Sequence, residues 1–299
     1  MSGQCELEVR FHQPPPDLAR YFTSFCFGVI KMVRGKAVDD AMQPEWGTLR
    51  FFPSSPPNVS LKGEPVIRGA HFAASGPTTS RFDYSIGSTR FWGLGLLPLG
   101  WAQFLDTPAH EVANQVFDGE RDPRFAEFAP LARILLGKGS SEEEDFDAIV
   151  AFFRRQLEKR KPADERIARV HRHLVETRSM DVKAMAAQCE LSERTLERMC
   201  RKAFGFPPKI LLRRQRFMRS LSAYMLDPRA KWSDTIDEQY YDQSHFVREC
   251  HEFLGMSPSD YAAMDFPILG RFLQYRAKVK GSPVQTMDLP SASDRPGGA

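Results

Sequence analysis

The sequence contains no apolar run approaching 18 residues, which excludes an ordinary membrane-spanning helix. It opens MSGQCELEVR, with no basic stretch leading into an apolar one, so a secretory leader is not expected and a cytoplasmic location is. Cysteine is sparse. Cys5, Cys26, Cys189, Cys200 and Cys250 are odd in number, widely spaced and form no CxxC, which points to buried free thiols rather than a disulfide framework. No HxH or HExxH spacing is read as a zinc site. His12, His71 and His110 stand alone, and neither a metal nor a cofactor is expected. Gly93-x-Gly95 lacks the third glycine of a dinucleotide loop and lies in a Phe/Leu-rich segment. No Ser/His/Asp set can be nominated, so the chain reads as a non-enzyme.

A length of 299 residues favours two domains, and 42% hydrophobic residues suffice for a core. Net charge is only +3, but it is unevenly spread: Arg194 to Arg219 holds nine Lys/Arg against one acid, Glu197. Such an excess is either a solvated helix face or a phosphate-binding surface, where release of counterions drives sequence-independent affinity.

Residues 1–160 read as a β-rich sensor or dimerisation domain ending in two helices. Gly47–Pro53, Pro65–Arg68 and Arg90–Leu97 look like short strands between turns, and helical pieces are expected near Leu18–Phe25 and Trp101–Leu105. An antiparallel barrel or jelly roll is the simplest architecture. Phe22, Phe25, Phe27, Phe51, Phe52, Phe91, Trp92 and Trp101 either fill its core, the commoner fate, or line an apolar pocket. Ser141-Glu-Glu-Glu144 forms a capping box ahead of a stripe of Phe146, Ile149, Val150, Phe153 and Leu157, on a helix that covers its own domain or joins two subunits. Lys159-Arg-Lys-Pro162 is a linker, and 281–299, rich in Pro, Ser, Gly and Asp, reads as a disordered tail.

The all-α region 163–280 repeats itself. Leu196, Arg198, Cys200, Phe204, Gly205, Pro208 and Leu211 are answered 50 residues on by Phe246, Arg248, Cys250, Leu254, Gly255, Pro258 and Tyr261. In the first unit, Ser179 is expected to cap a helix from Val182 to Gln188 that buries Val182, Met185 and Ala186, Cys189-Glu190-Leu191 turns, and Ser192 caps a second helix. Leu196, Met199, Cys200 and Ala203 share that helix's inner face, which leaves Arg194, Glu197, Arg198 and Arg201 outside. Arg suits guanine O6/N7 and Glu suits cytosine N4 in a major groove. The second unit places Phe246, Cys250 and Phe253 inward and offers Gln243, Ser244, His245 and Arg248 as readers. Arg201, Lys202, Lys209 and Ser192 are candidate phosphate contacts. A long helix, with Ile210, Phe217, Leu221 and Met225 in one stripe, joins the units and would set them about one DNA turn, roughly 34 Å, apart.

The strings LSERTLERMCRKAFGFPPKILLRRQRF and YYDQSHFVRECHEFLGMSPSDY make residues 163–275 resemble the DNA-binding domain of AraC/XylS-type transcription regulators. PEWGTLRFF, SGPTTSRF and FWGLGLLPLGWAQFLD carry a looser likeness to the sensor or dimerisation domain of such regulators. The resemblance implies a seven-helix domain with two helix-turn-helix motifs and double-stranded DNA as partner. It further implies a small-molecule effector, a homodimer, and RNA polymerase as a partner of an activator. Two departures stand out. Glu190 and Gln239 occupy turns where the family has Gly, and Trp232-Ser-Asp-Thr-Ile-Asp-Glu-Gln239 is too polar for a normal supporting helix. The rival is an interaction protein that binds DNA weakly or not at all because its second motif has degenerated.

Overall fold

The computed structural model describes residues 5–61, 66–137, 139–227 and 229–289. The described residues form nine strands: β1 (Cys5–His12), β2 (Phe22–Met32), β3 (Val38–Met42), β4 (Thr48–Phe51), β5 (Asn58–Leu61), β6 (Phe72–Ser75), β7 (Phe82–Ile86), β8 (Thr89–Leu96) and β9 (Val116–Asp118). They form a six-stranded sheet, β1-β2-β8-β4-β6-β9, and a three-stranded sheet, β3-β7-β5. All pairings are antiparallel. Among the described residues neither sheet closes into a barrel. The helix expected at Leu18–Phe25 is instead a turn entering β2, whose Phe, Val and Ile suit a strand paired on both sides.

Period-2 alternation sorts the large sheet into two unlike faces. Phe25 and Phe27, Leu49 and Phe51, Phe72 and Ala74, Trp92 and Leu94 point into one core with the helices. The intervening Ser24, Cys26, Ala73, Ser75, Gly93 and Gly95 are small and face the three-stranded sheet.

Helices α1 (Pro98–Phe104), α2 (Ala129–Leu135) and α3 (Glu142–Lys159) cover the aromatic face. The capping box of α3 is present: Ser141 Oγ accepts from Glu144 N at 3.2 Å, and Glu144 accepts from Ser141 N at 2.8 Å. Ile149 and Phe153 are buried among Phe22, Phe104 and Phe128, so α3 packs into its own chain.

Then follow α4 (Arg166–Glu176), α5 (Val182–Gln188), α6 (Glu193–Met199), α7 (Pro208–Leu226), α8 (Trp232–Thr235), α9 (Gln243–Phe253), α10 (Pro258–Ala263) and α11 (Leu269–Lys280). The expected linker is pinned: Gln103 donates to the Lys161 carbonyl at 3.3 Å and accepts from Ala163 N at 2.8 Å. The main core runs on through it, from Leu18 to Leu212, and includes Ile167, Val170, Met185 and Leu196. Phe217, Leu221, Phe246, Phe253, Tyr261 and Leu273 form a separate core. Part of the expected tail is also ordered. Residues 281–289 fold back so that Val284 is buried and Gln215 donates to the Thr286 carbonyl at 2.8 Å. Residues 290–299 lie outside the described residues.

Trp46 forms the junction of the two regions. The Arg214 guanidinium of α7 lies 3.9 Å over its ring and donates to the Thr78 carbonyl at 3.0 Å. Phe204 and His171 meet the ring edge-on. His171 and His173 do form an HxH spacing, contrary to the expectation above. On a helix, residues two apart leave on different faces, and no metal-holding cluster occurs among the described residues.

Burial, with Arg214 and Arg172 adding repulsion, pulls the His171 pKa from 6.5 down to about 3. The unfolded chain therefore takes up a proton near pH 6.5 that the folded chain refuses until about 3, and stability is lost as pH falls through this window. Glu127, which burial pushes up to about 7 against the pull of Arg160, acts in the opposite sense. Comparison with His171→Phe cancels its contribution. Urea unfolding at pH 7, 6 and 5 is expected to show the variant gaining on the parent by up to about 1.4 kcal/mol per unit below pH 6.5. Parallel pH profiles would refute a buried neutral His171.

Candidate nucleic-acid interface and the cavity behind it

The repeat in the sequence is a repeat in space. Gly205 and Gly255 both adopt positive φ, +85° and +76°, and Pro208 and Pro258 each open the next helix. Leu196, Cys200, Phe246 and Cys250 are all buried. In the first unit Asp181, not Ser179, caps α5, accepting from Lys183 N at 2.8 Å and Ala184 N at 3.3 Å; Ser179 accepts from Asp181 N instead. Ser192 caps α6 as expected, through Thr195 N at 3.3 Å. After Met199 the helix widens into a π-turn over Cys200–Phe204.

The two turns differ. Glu190 takes φ +56° and its carboxylate pairs with Arg169, while Gln239 is not among the residues with positive φ. In the second unit Asp242 caps α9, accepting from His245 N at 2.7 Å. Its supporting helix α8 is a single turn without a buried residue. Trp232 supplies most of its packing, stacked 3.8 Å from Tyr224 and donating to the Pro258 carbonyl at 2.9 Å.

On the outer faces, Ser192, Arg194, Arg198, Arg201, Lys202 and Lys209 are exposed, as are Gln243, Ser244 and Arg248. Glu197 is half-buried and paired with Arg201 at 2.8 Å, a contact that water weakens. His245 turns inward, edge-on to Tyr240 and 3.2 Å from Arg216.

The basic run divides into two groups. Its last four arginines face the protein. Arg213 pairs with Glu249 at 2.9 Å and with Glu252, Arg214 is buried on Trp46, Arg216 meets Glu249 at 2.6 Å, and Arg219 meets Asp237 at 2.5 Å. Glu249, which sequence reasoning passed over, is fully buried and also accepts from the Tyr240 hydroxyl. Burial beside that carboxylate pushes the Tyr240 pKa well up. The signal was present: an acid on the inner side of α9, beside Cys250, has to meet a partner from α7.

Behind this surface, a cavity of about 140 Å³ lies between the two sheets. It exists because the inner face of the large sheet carries Ser, Cys, Ala and Gly where the outer face carries aromatics. A Cβ on Gly93 would meet nothing closer than 4.0 Å. Of the eight aromatics considered for lining, only Phe52 and Phe91 reach it; the other six are core. Leu269, Phe272, Leu273 and Arg276 of α11, with Pro283–Gln285, close its remaining side. Asp40 of β3 holds this lid, accepting from Ile268 N at 2.6 Å and Leu269 N at 2.9 Å at the start of α11.

Residues 185–264 match the family model of a helix-turn-helix domain. Comparison with curated proteins gives no match. Among solved structures the chain is similar to ToxT from Vibrio cholerae, at 10% identity over 87% of this chain and 98% of that one, with a TM-score of 0.44. It is also similar to wild-type ToxT from the same organism bound to an unsaturated fatty acid, at 11% identity over 88% and 96%, with a TM-score of 0.42. The AraC-like transcriptional activator CuxR aligns at 14% identity over 73% and 86%, with a TM-score of 0.25. The paired Gly–Pro closures, the capped outer helices and the family match together make residues 185–264 an AraC-type helix-turn-helix domain, the DNA-binding element of a transcription regulator.

Proposed function

We propose that α6 and α9 enter adjacent major-groove faces of double-stranded DNA, and that the cavity between the sheets binds a small-molecule effector. The observation carrying this reading is the segregation of each helix: apolar side chains are buried in a core, and the outer face is solvent-accessible. Arg194, Glu197 and Arg198 read bases in the first unit, and Gln243, Ser244 and Arg248 in the second. Arg201, Lys202, Lys209 and the Ser192 hydroxyl meet phosphates. His245, held by Tyr240 and Arg216, positions α9 rather than reading. The one-turn α8 favours a weaker second grip. The protein acts as a homodimer, with RNA polymerase as its partner at a promoter. Selection of bound sites from random DNA by the full chain tests these points: two half-sites support the dimer, and no shift of any DNA at low salt would sink the regulator reading.

Arg198→Ala is expected to weaken binding by about 1–3 kcal/mol and to relax preference at one base position. Equal loss on every sequence would make it a phosphate contact. Lys202→Ala is expected to lower affinity uniformly and to reduce the salt slope by about one, whereas Arg219→Ala, which removes the buried partner of Asp237, lowers the unfolding midpoint and leaves the slope unchanged. A slope change in Arg219→Ala would place that arginine on DNA.

A further inference from the structure

We propose that the cavity selects a neutral ligand: an apolar body about the size of a six-membered ring, carrying a hydroxyl or N–H that donates to the side-chain carbonyl of Gln285. This deepens the effector reading above and rests on it.

Size and polarity come from the walls. A volume of about 140 Å³ is close to the roughly 150 Å³ engineered cavity that admits benzene. Val59, Phe82, Ile86 and Leu273 make most of the surface apolar.

Charge selection comes from what the cations are already doing. Two guanidiniums border the space, and each has its own acid. One Arg50 nitrogen bridges both oxygens of Glu45, at 2.6 and 2.8 Å. Arg276 pairs with Asp288 and donates to the Ser282 carbonyl at 2.6 Å. The wall is therefore neutral by pairing. An entering carboxylate would find no uncommitted cation, would face Glu45, and would lose its hydration without compensation.

The donor requirement comes from Gln285. Its Nε2 donates to Glu45 Oε2 at 2.8 Å, and the carboxylate fixes which end of the amide points there. Oε1 is consequently turned away from Glu45. It is buried, has no hydrogen-bond partner among the described residues, and lies against the bare inner face of β8, 2.7 Å from where a Cβ on Gly95 would be. A buried carbonyl without a donor is the costly member of a hydrogen bond; the atom is closed to a water-sized group where it stands, so the Gln285 side chain turns toward the cavity when a ligand O–H or N–H satisfies it. Gln43 adds a second amide in the wall, its Nε2 2.6 Å from the Tyr261 hydroxyl and its Oε1 likewise without a partner.

The test uses the full chain and three probes of one ring each: phenol, its near-isostere toluene, and benzoate, with affinities measured by calorimetry. Phenol and toluene are expected to bind, benzoate is not, and Gly93→Val, which fills the space, is expected to abolish binding of both. In Gln285→Leu the phenol-to-toluene affinity ratio is expected to fall about tenfold, the equivalent of one net hydrogen bond, while toluene still binds. This variant changes a partly exposed residue outside the sheets, so the result does not depend on Gly93→Val folding. Benzoate binding as tightly as phenol, or an unchanged ratio in Gln285→Leu, overturns the neutral-donor assignment while the effector reading stands. If none of the three binds the parent chain, both fall.

Discussion

The buried cation at Trp46 is the constraint on which the rest of the molecule depends. Arg214 has no carboxylate partner among the described residues. It is held by one carbonyl and an aromatic face, and burial pulls its pKa down to about 9, which still leaves it charged at neutral pH. Such a group is tolerated only where the surroundings are fixed on all sides. Those surroundings come from both halves of the chain: Trp46 and Thr78 from the loops flanking β4 and β6, and His171 and Phe204 from the helices. Neither half is complete without the other there, which is why the apolar core of the first reading unit continues into that of the sheet.

The helix that carries Arg214 links two cores that share little else. Leu211 and Leu212 of α7 belong to the first, Phe217, Met218 and Leu221 to the second. Between and beside them, Arg213, Arg216 and Arg219 bind the acids Glu249, Glu252 and Asp237. Buried ion pairs of this kind are weak sources of net stability but strongly disfavour any arrangement that separates them. Their effect is to fix the orientation of α9 on α7, and so the relation between the two outer helices. The second unit needs this more than the first. Its supporting helix is one turn long, and its position relies on aromatic stacking of Trp232 and on the Glu249 cluster.

The helical half was largely legible because its signals are local. Ser192, Asp242, Gly205, Gly255, Pro208 and Pro258 act within one turn of where they stand, and the polarity of 232–239 marked the supporting helix as abnormal, though not its length of one turn. Apart from the Ser179 cap and the helix expected at Leu18–Phe25, what failed were inferences from composition. The basic run looked like one surface, yet four of its seven arginines face inward, and the acids that neutralise Arg213, Arg216 and Arg219 lie 18 to 39 residues away. Likewise 281–289 looked like a tail by its Pro and Ser, yet Gln285 and Asp288 have partners at Glu45 and Arg276. In the sheet, attention to the aromatic half of each strand hid the informative half. The alternation of Phe25, Phe27, Trp92 and Leu94 with Ser24, Cys26, Gly93 and Gly95 specifies one filled face and one hollow one. That the hollow face would oppose a second sheet depends on topology and could not be read from spacing.

The hollow face also decides which reading unit is closest to the cavity. Leu269, Leu273 and Val284 line the cavity on one side and are core residues of the second unit on the other, packed in the same cluster as Phe246, Cys250 and Phe253 of α9. Gln43 of the cavity wall touches Tyr261, which ends the repeat of that unit. Among the described residues the first unit has no wall in common with the cavity; the aromatic face of the sheet lies between them. Leu269 and Leu273 of α11 therefore belong to the core that seats α9, whereas Leu196 and Cys200 of the first unit belong to another core. The polar, one-turn support of α9 gives it fewer apolar contacts on that side than α5 gives α6, so the irregularity that distinguishes the second repeat from the first lies on the side where the cavity meets the helices.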